Sequence, residues 1–436
     1  MVTRLVIKQL YGHYDYDLGF SENHHIKVLL GPNGFGKSTI LKILNNLIKC
    51  NFWYFNLIDF RYIRVEFAGG GKIHIMKNHI DESVKDLNTR NISESIFHLS
   101  LFNGEKDELQ CQFLLSANYI LRKIRRSSMG YRSMNTMGDI DIEDYLMRYY
   151  DFTDDDALPE TSRNMIEFLK NFDSMYVKEQ RIQYEDIDTY GRHLINKYNV
   201  DKIAEDLDQV IVSHQEYFGS QCQKIDSGFV GRLLSGKGKV YSKEEYDVKC
   251  NELEAILKLY HYYGLANDLH LDYRYDDKYE AILSLYIDDM LGKVDAYQGL
   301  FLRLSSFDKF LKSKDLSYKN IKIDTEHGLT AIDVNGNSIA LHKLSSGEQN
   351  LIILYFFLLF KAKPGMLVCL DEPEISMHVA WQETMLADLK LIAKVMDIQL
   401  IIATHSIDFV NGNWDDCIDL FEEMKKTDSY ELQSER

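Results

Sequence analysis

Four short stretches carry residue types at spacings suited to phosphoryl-transfer chemistry. Gly31-Pro32-Asn33-Gly34-Phe35-Gly36-Lys37-Ser38-Thr39 satisfies G-x-x-x-x-G-K-[ST] at every defined position. Glycines at 31, 34 and 36 let the backbone wrap so that successive N–H groups face a triphosphate resting on a helix N-terminus. Lys37 is expected to reach the β- and γ-phosphates and the Ser38 hydroxyl to ligate Mg²⁺, with Asn33 and Thr39 on the same loop. Hydrolysis further needs a metal ligand, a group that orients water and positive charge at the γ-phosphate. Asp371-Glu372 closes the apolar run Met366–Leu370. Asp371 suits Mg²⁺ and Glu372 suits the attacking water. Ser345-Ser346-Gly347-Glu348 reads as a helix capping box, and the same bare N–H groups and hydroxyl make an anion site. Thr404-His405-Ser406 closes another apolar run, Leu400–Ala403.

These groups need rigid carriers. Ile26–Leu30 reads as a buried strand before the glycine loop, and Ile40–Ile48 as a helix after it. That context separates a phosphate-binding loop from an incidental strand–helix turn. Thr3–Leu10 and Tyr14–Phe20 read as paired strands. Arg61–Phe67 and Lys72–Lys77 flank Gly69-Gly70-Gly71, a hairpin turn rather than a second phosphate loop, because no helix follows. From Asp81 to Leu316 the spacing predicts mainly helix, as in Asn164–Phe172, Ile203–Tyr217 and Glu252–Tyr263, with a strand at Ser174–Val177. Near Ser317 strands return, with Asn335-Gly336 as a hairpin signal. The helix opened by Leu344–Gln349 runs to Phe360, and another spans Met377–Met396. Three segments are therefore expected: 1–80, a mainly helical insertion at 81–316 that returns briefly to the site near 172–185, and 317–436.

A formal charge of −17 over 436 residues argues against a general nucleic-acid coat. Arg122-Lys123-Ile124-Arg125-Arg126, with Arg132, is a local basic cluster before the acidic run Asp139–Glu160. Solvated helix faces explain both, and contact with nucleic acid or an acidic partner is the sharper alternative. Six scattered cysteines form no C-x-x-C pair and show no zinc spacing. The N-terminus shows no signal peptide, and Leu351–Phe360, the longest apolar run, is too short to cross a bilayer. A cytoplasmic protein without a membrane partner is expected, with a poorly ordered polar tail from Lys425.

Taken together, Gly31–Ser38, Leu344–Gln349, Met366–Glu372 and Thr404-His405-Ser406 resemble the head domain of ABC-type ATPases, within it the SMC, RecF and Rad50 group. Asp371-Glu372-Pro373-Glu374-Ile375-Ser376-Met377-His378, followed by Trp381-Gln382, resembles the OLD-like (AAA-15/AAA-21 type) antiphage-defence ATPases of PARIS or Septu systems in particular. The resemblance implies an α/β P-loop head formed by N- and C-terminal lobes, with a large, mainly helical insertion. It implies ATP and Mg²⁺ as ligands, and no Asn-Lys-x-Asp guanine reader stands against ATP. It implies Lys37, Glu372 and His405 as catalytic, His405 being the switch histidine. Asn33, Gly34, Gly36, Lys37, Ser38, Thr39 and Ser345, Ser346, Gly347, Glu348 would bind ATP. Ser38, Asp371 and a glutamine-loop residue, Gln180 or its neighbour Gln183, would hold the metal. Two heads would share each ATP, so that Ser345 and Gly347 of one chain face the γ-phosphate held by Lys37 of another. The long gap from Ser38 to Ser345 departs from transporter ATPases, and the missing C-x-x-C hook and heptads depart from long-armed members. The expected role is a homo-oligomeric sensor or scaffold, triggered by nucleic acid or a phage protein. It would control a Toprim or HNH nuclease carried on a separate polypeptide, since the stretch after His405 is short. A RecF-like DNA-repair ATPase is the alternative.

Overall fold

The computed structural model describes residues 1–20, 25–52, 54–85, 91–103, 108–115, 160–187, 194–236, 238–266, 274–314, 316, 318–325 and 328–424. They form two compact units. The first takes both chain ends, residues 1–179, 362–375 and 379–436, and the second takes 180–361 and 376–378.

The first unit carries two sheets. Strands β3 (Ile26–Leu30), β8 (Ser174–Val177), β14 (Leu367–Asp371), β15 (Gln399–Thr404) and β16 (Cys417–Asp419) form a five-stranded sheet in the order β16-β3-β15-β14-β8. Its pairings are parallel. Every residue of β14 and β15 is buried, as a strand covered on both faces requires, which is why these segments read as unbroken apolar runs. The helix Lys37–Ile48 follows β3 and buries Ile40, Leu41, Ile43, Leu44 and Leu47. These residues share one core with Leu367, Cys369, Ile401 and Ala403 of the parallel sheet and with Leu5, Ile63, Val65 and Ile73.

The second group belongs to a six-stranded antiparallel sheet, β2-β1-β4-β5-β6-β7. Its strands are β1 (Val2–Leu10), β2 (Tyr14–Gly19), β4 (Tyr62–Phe67), β5 (Gly71–Lys85), β6 (Asn91–Asn103) and β7 (Glu108–Leu115). The glycine triplet turns β4 into β5, with Gly69 and Gly70 both at φ 90°. The mainly helical character expected from residue 81 holds for the helices from Glu160 onward, but the start of that stretch is strand: β5, β6 and β7 extend the sheet. Phe97, Leu99 and Leu101 point one way into the core at period two, the mark of a strand with one covered face. The basic cluster Arg122–Arg132, most of the acidic run from Asp139, and the tail from Lys425 lie outside the described residues.

In the second unit β9 (Gln183–Ile187) and β10 (Leu194–Tyr198) form an antiparallel ribbon leading into the 37-residue helix Asn199–Ser235. Helices Lys243–Tyr262, Glu280–Asp295 and Gln298–Lys312 follow. A three-stranded sheet of β11 (Lys319–Asp324), β12 (Gly328–Asp333) and β13 (Ser338–Ile339) then leads to the helix Ser346–Phe356. The expected boundary near residue 317 does not divide the chain; 317–361 stays with the helices. Aromatic packing explains this, since Phe310 packs at a tilt against Tyr355 (5.5 Å) and Phe307 meets Phe360 edge-on (5.8 Å). Lys361 also pairs with Asp206 at 2.8 Å.

One buried side chain joins the two sheets of the first unit. The Gln399 amide, on β15, donates to the Val2 carbonyl (2.7 Å) and accepts from the Val2 N–H (2.9 Å) on β1. Gln399→Leu strands that donor and acceptor away from water, so the chain is expected to lose about 1–3 kcal/mol of stability. The check is a lower urea midpoint at unchanged slope.

Candidate nucleotide site

The glycine loop closes through three features of its own sequence. Gly34 (φ 90°) and Gly36 (φ 77°) adopt left-handed backbone that other residues resist, and a Cβ on Gly36 would stand 3.0 Å from Leu10. Gly36 is also the residue before the helix Lys37–Ile48, and no side chain caps that helix and no acid lies in its first turn. The N–H groups there are left for an anion. The Tyr16 hydroxyl donates to the Phe35 carbonyl at 2.8 Å and pins the loop to β2.

Around this loop the first unit has a cleft of about 410 Å³. Asn33, Gly34, Gly36, Lys37, Ser38 and Thr39 line one wall, and Glu372 and His405 line another, with Tyr11, Glu179 and Ile375 completing it. Lys37 is buried, and its ammonium donates to the carbonyls of Gly31 (2.8 Å) and Pro32 (3.2 Å). The Ser38 hydroxyl donates to Asp371 Oδ1 at 3.0 Å, joining positions 333 apart in sequence. Asp371 Oδ2 accepts from Tyr176 on β8 at 2.7 Å. A hydroxyl and a carboxylate at this spacing are the hard oxygen donors that Mg²⁺ favours, and both fit it.

Glu372 follows β14 with φ 44°, held by its N–H donating to the Ala403 carbonyl at 2.9 Å. Its Oε2 lies 2.5 Å from His405 Nδ1, and the imidazole is exposed. His405 sits between two anchored neighbours. The Thr404 hydroxyl accepts from the Ser406 N–H (2.9 Å), and Ser406 Oγ donates to Gln382 Oε1 (2.9 Å). Behind Glu372 lies Glu374, buried, with Oε1 accepting from the Thr404 hydroxyl. Burial, foremost, and then the charge of Glu372 push the Glu374 carboxyl up to about 7, against the pull of Thr404.

The structure thus brings together the glycine loop, Asp371, Glu372 and His405. The glutamine expected near 180 is not part of this cleft: Glu179 lines it, while Gln180 and Gln183 are exposed residues of the second unit. A one-residue offset is what an irregular turn after a four-residue strand permits. The sequence assigns no site role to Tyr176, Thr404 or Glu374, although Thr404 and Glu374 stand in stretches it singles out. Glu374 left a signal all the same, an acid two places beyond Glu372 in a turn stiffened by Pro373.

The Ser345 stretch belongs to the second unit. Ser345 caps the helix Ser346–Phe356, its Oγ accepting from the Glu348 N–H (3.3 Å) while Glu348 Oε2 accepts from the Ser345 N–H (2.8 Å). Lys319 holds the buried Glu348 carboxylate at 2.8 Å. Ser345 and Ser346 are exposed. Gly347 is pressed so closely that a Cβ there would lie 2.6 Å from the Ser376 carbonyl oxygen.

The family model of the AAA ATPase domain (AAA_15) matches residues 1–410, so the chain belongs to the AAA_15 ATPase family. Among solved structures, it is similar to an Smc head bound to the C-winged helix domain of ScpA, at 12% identity and a TM-score of 0.35, over 94% of this chain and 91% of that one. It is also similar to the SMC head domain of Thermotoga maritima, at 13% identity and a TM-score of 0.32, over 94% of this chain and 90% of that one. Among curated proteins none matches.

Gly347→Ala should cost about 1–3 kcal/mol, because a backbone carbonyl rather than a flexible side chain must give way. A thermal melt of that variant beside Ser346→Ala, whose side chain is exposed, checks the difference: Ser346→Ala should melt within a degree or two of the parent protein.

Proposed function

We propose that this chain is an ABC-type, SMC-like ATP hydrolase whose subunits associate through shared ATP. The observation that carries the reading is the cleft in which Lys37 and Ser38 meet Glu372 and His405, with Asp371 bonded to Ser38 beside it. In this reading Lys37 exchanges the Gly31 and Pro32 carbonyls for phosphate oxygens, and the bare helix N-terminus faces the same charge. Ser38 and Asp371 would hold Mg²⁺, which supplies charge neutralisation at the β- and γ-phosphates. Glu372 orients the attacking water and accepts its proton. His405, held by Glu372 on one ring nitrogen, presents the other towards the γ-phosphate.

The exposed Ser345 and Ser346 support a second half of the site offered to another copy, with Gly347 packing their turn against the Ser376 carbonyl of the same chain. On the resemblance of the Asp371–His378 stretch, we place the protein in bacterial antiphage defence, as a cytoplasmic sensor or scaffold controlling a separate nuclease. Copurification with the product of a neighbouring gene, and loss of that association on ATP hydrolysis, tests this part.

The enzymatic part has a direct test. Lys37→Ala is expected to lose ATP binding by calorimetry. Glu372→Gln should keep ATP but turn over at least about a hundredfold more slowly. With ATP it should elute from size exclusion as a larger species than the nucleotide-free protein. Undiminished hydrolysis in Glu372→Gln would remove Glu372 from its role.

A further inference from the structure

Glu374 is buried at 3% exposure, deeper than its neighbour Glu372, and its two oxygens have different surroundings. Oε1 accepts from the Thr404 hydroxyl, and Thr404 in turn accepts from the Ser406 N–H. This chain of bonds ties the turn after β14, which carries Glu372, to the turn after β15, which carries His405. Oε2 is shut off from solvent and has no hydrogen-bond partner. One carboxylate oxygen of Glu372, one of Glu374 and one ring nitrogen of His405 lie within 4.8 Å of one another. Two ionised carboxylates cannot share so dry a place cheaply, and the more buried of the two is the one that keeps a proton.

We infer that Glu374 is the positioning residue of the proposed ATPase site: protonated on Oε2, it donates to the Glu372 carboxylate and aims it, while Oε1 and Thr404 hold the His405 turn in place. The inference rests on the ATPase reading given above. The titratable groups facing Glu374 are Glu372 at the end of β14 and His405 at the end of β15, and they bracket the expected behaviour. Below pH about 7 Glu374 keeps its proton and Glu372 stays aimed. As pH rises through about 7 that proton is lost, a second negative charge appears beside Glu372, and turnover falls.

The experiment is steady-state ATP hydrolysis with Mg²⁺ from pH 6 to 9 on the full chain, with Glu374→Gln and Glu374→Leu beside the wild type. Gln offers an N–H where the carboxylic acid offered O–H and still accepts from Thr404, so Glu374→Gln should turn over and lose the fall centred near 7. Glu374→Leu should drop kcat roughly tenfold to a hundredfold with little change in KM, since the nucleotide's own contacts remain. If Glu374→Leu fails to fold in a thermal melt, the pH profile of Glu374→Gln decides alone. A wild-type chain that hydrolyses no ATP overturns the ATPase reading and this inference with it. Turnover whose fall near 7 persists in Glu374→Gln, or a folded Glu374→Leu with normal kcat, overturns the positioning role and leaves the ATPase reading standing.

Discussion

The register of three adjacent parallel strands is the constraint from which the site follows. Leu30 of β3 pairs with Thr404 of β15, and Ala403 of β15 with Asp371 of β14. Because the strands run the same way and end together, the residues that follow them leave the sheet at one edge. There they meet the N-terminus of the helix Lys37–Ile48, in the crevice where open parallel sheets hold ligands. A slip of one residue in β14 would turn Asp371 to the opposite face and uncouple it from Ser38. The Glu372 N–H, bonded to the Ala403 carbonyl just beyond the end of β14, helps hold that register.

That convergence creates an electrostatic problem which the local chemistry resolves. Glu179, Asp371 and Glu372 stand on or beside the cleft with Glu374 behind, against Lys37 and an exposed His405. A triphosphate entering such a place meets its own sign of charge. Several devices reduce the repulsion. Asp371 is bridged by two hydroxyls, from Ser38 and Tyr176, which prepare it for a cation. Glu374 is raised towards neutrality by burial. The uncapped helix start directs partial positive charge at the loop. In the proposed reading, acids on one wall and N–H groups on the other would suit a ligand that carries phosphate and a divalent cation together.

How much of this was legible in the sequence varies with how local each signal is. The glycine loop was readable because its motif, its left-handed glycines and its flanking strand and helix lie within a few residues of one another. Asp371 and His405 were readable because buried parallel strands leave unbroken apolar runs that end where chemistry can begin. Tyr176, Thr404 and Glu374 were not, because each acquires its partner across the sheet, and no spacing along the chain announces that Tyr176 will reach Asp371. Strand β6 gives a weaker signal for another reason: His98 and Ser100 alternate with Phe97, Leu99 and Leu101 and interrupt the apolar pattern. The division near 317 failed because aromatic contacts such as Phe310 with Tyr355 join segments that composition alone separates.

The Ser345 stretch shows why a motif and its plain structural reading need not compete. Glu348 is committed to the helix it begins, held by the Ser345 N–H and by Lys319, and it is buried. That commitment fixes the first turn rigidly, so the exposed Ser345 and Ser346 hydroxyls are presented at little further entropic cost. Gly347 follows the same logic, its lack of a side chain being required by the Ser376 carbonyl directly behind it. The capping box is therefore compatible with the anion-binding role proposed for this stretch. In that reading it would preorganise the helix start that another copy's phosphate has to meet.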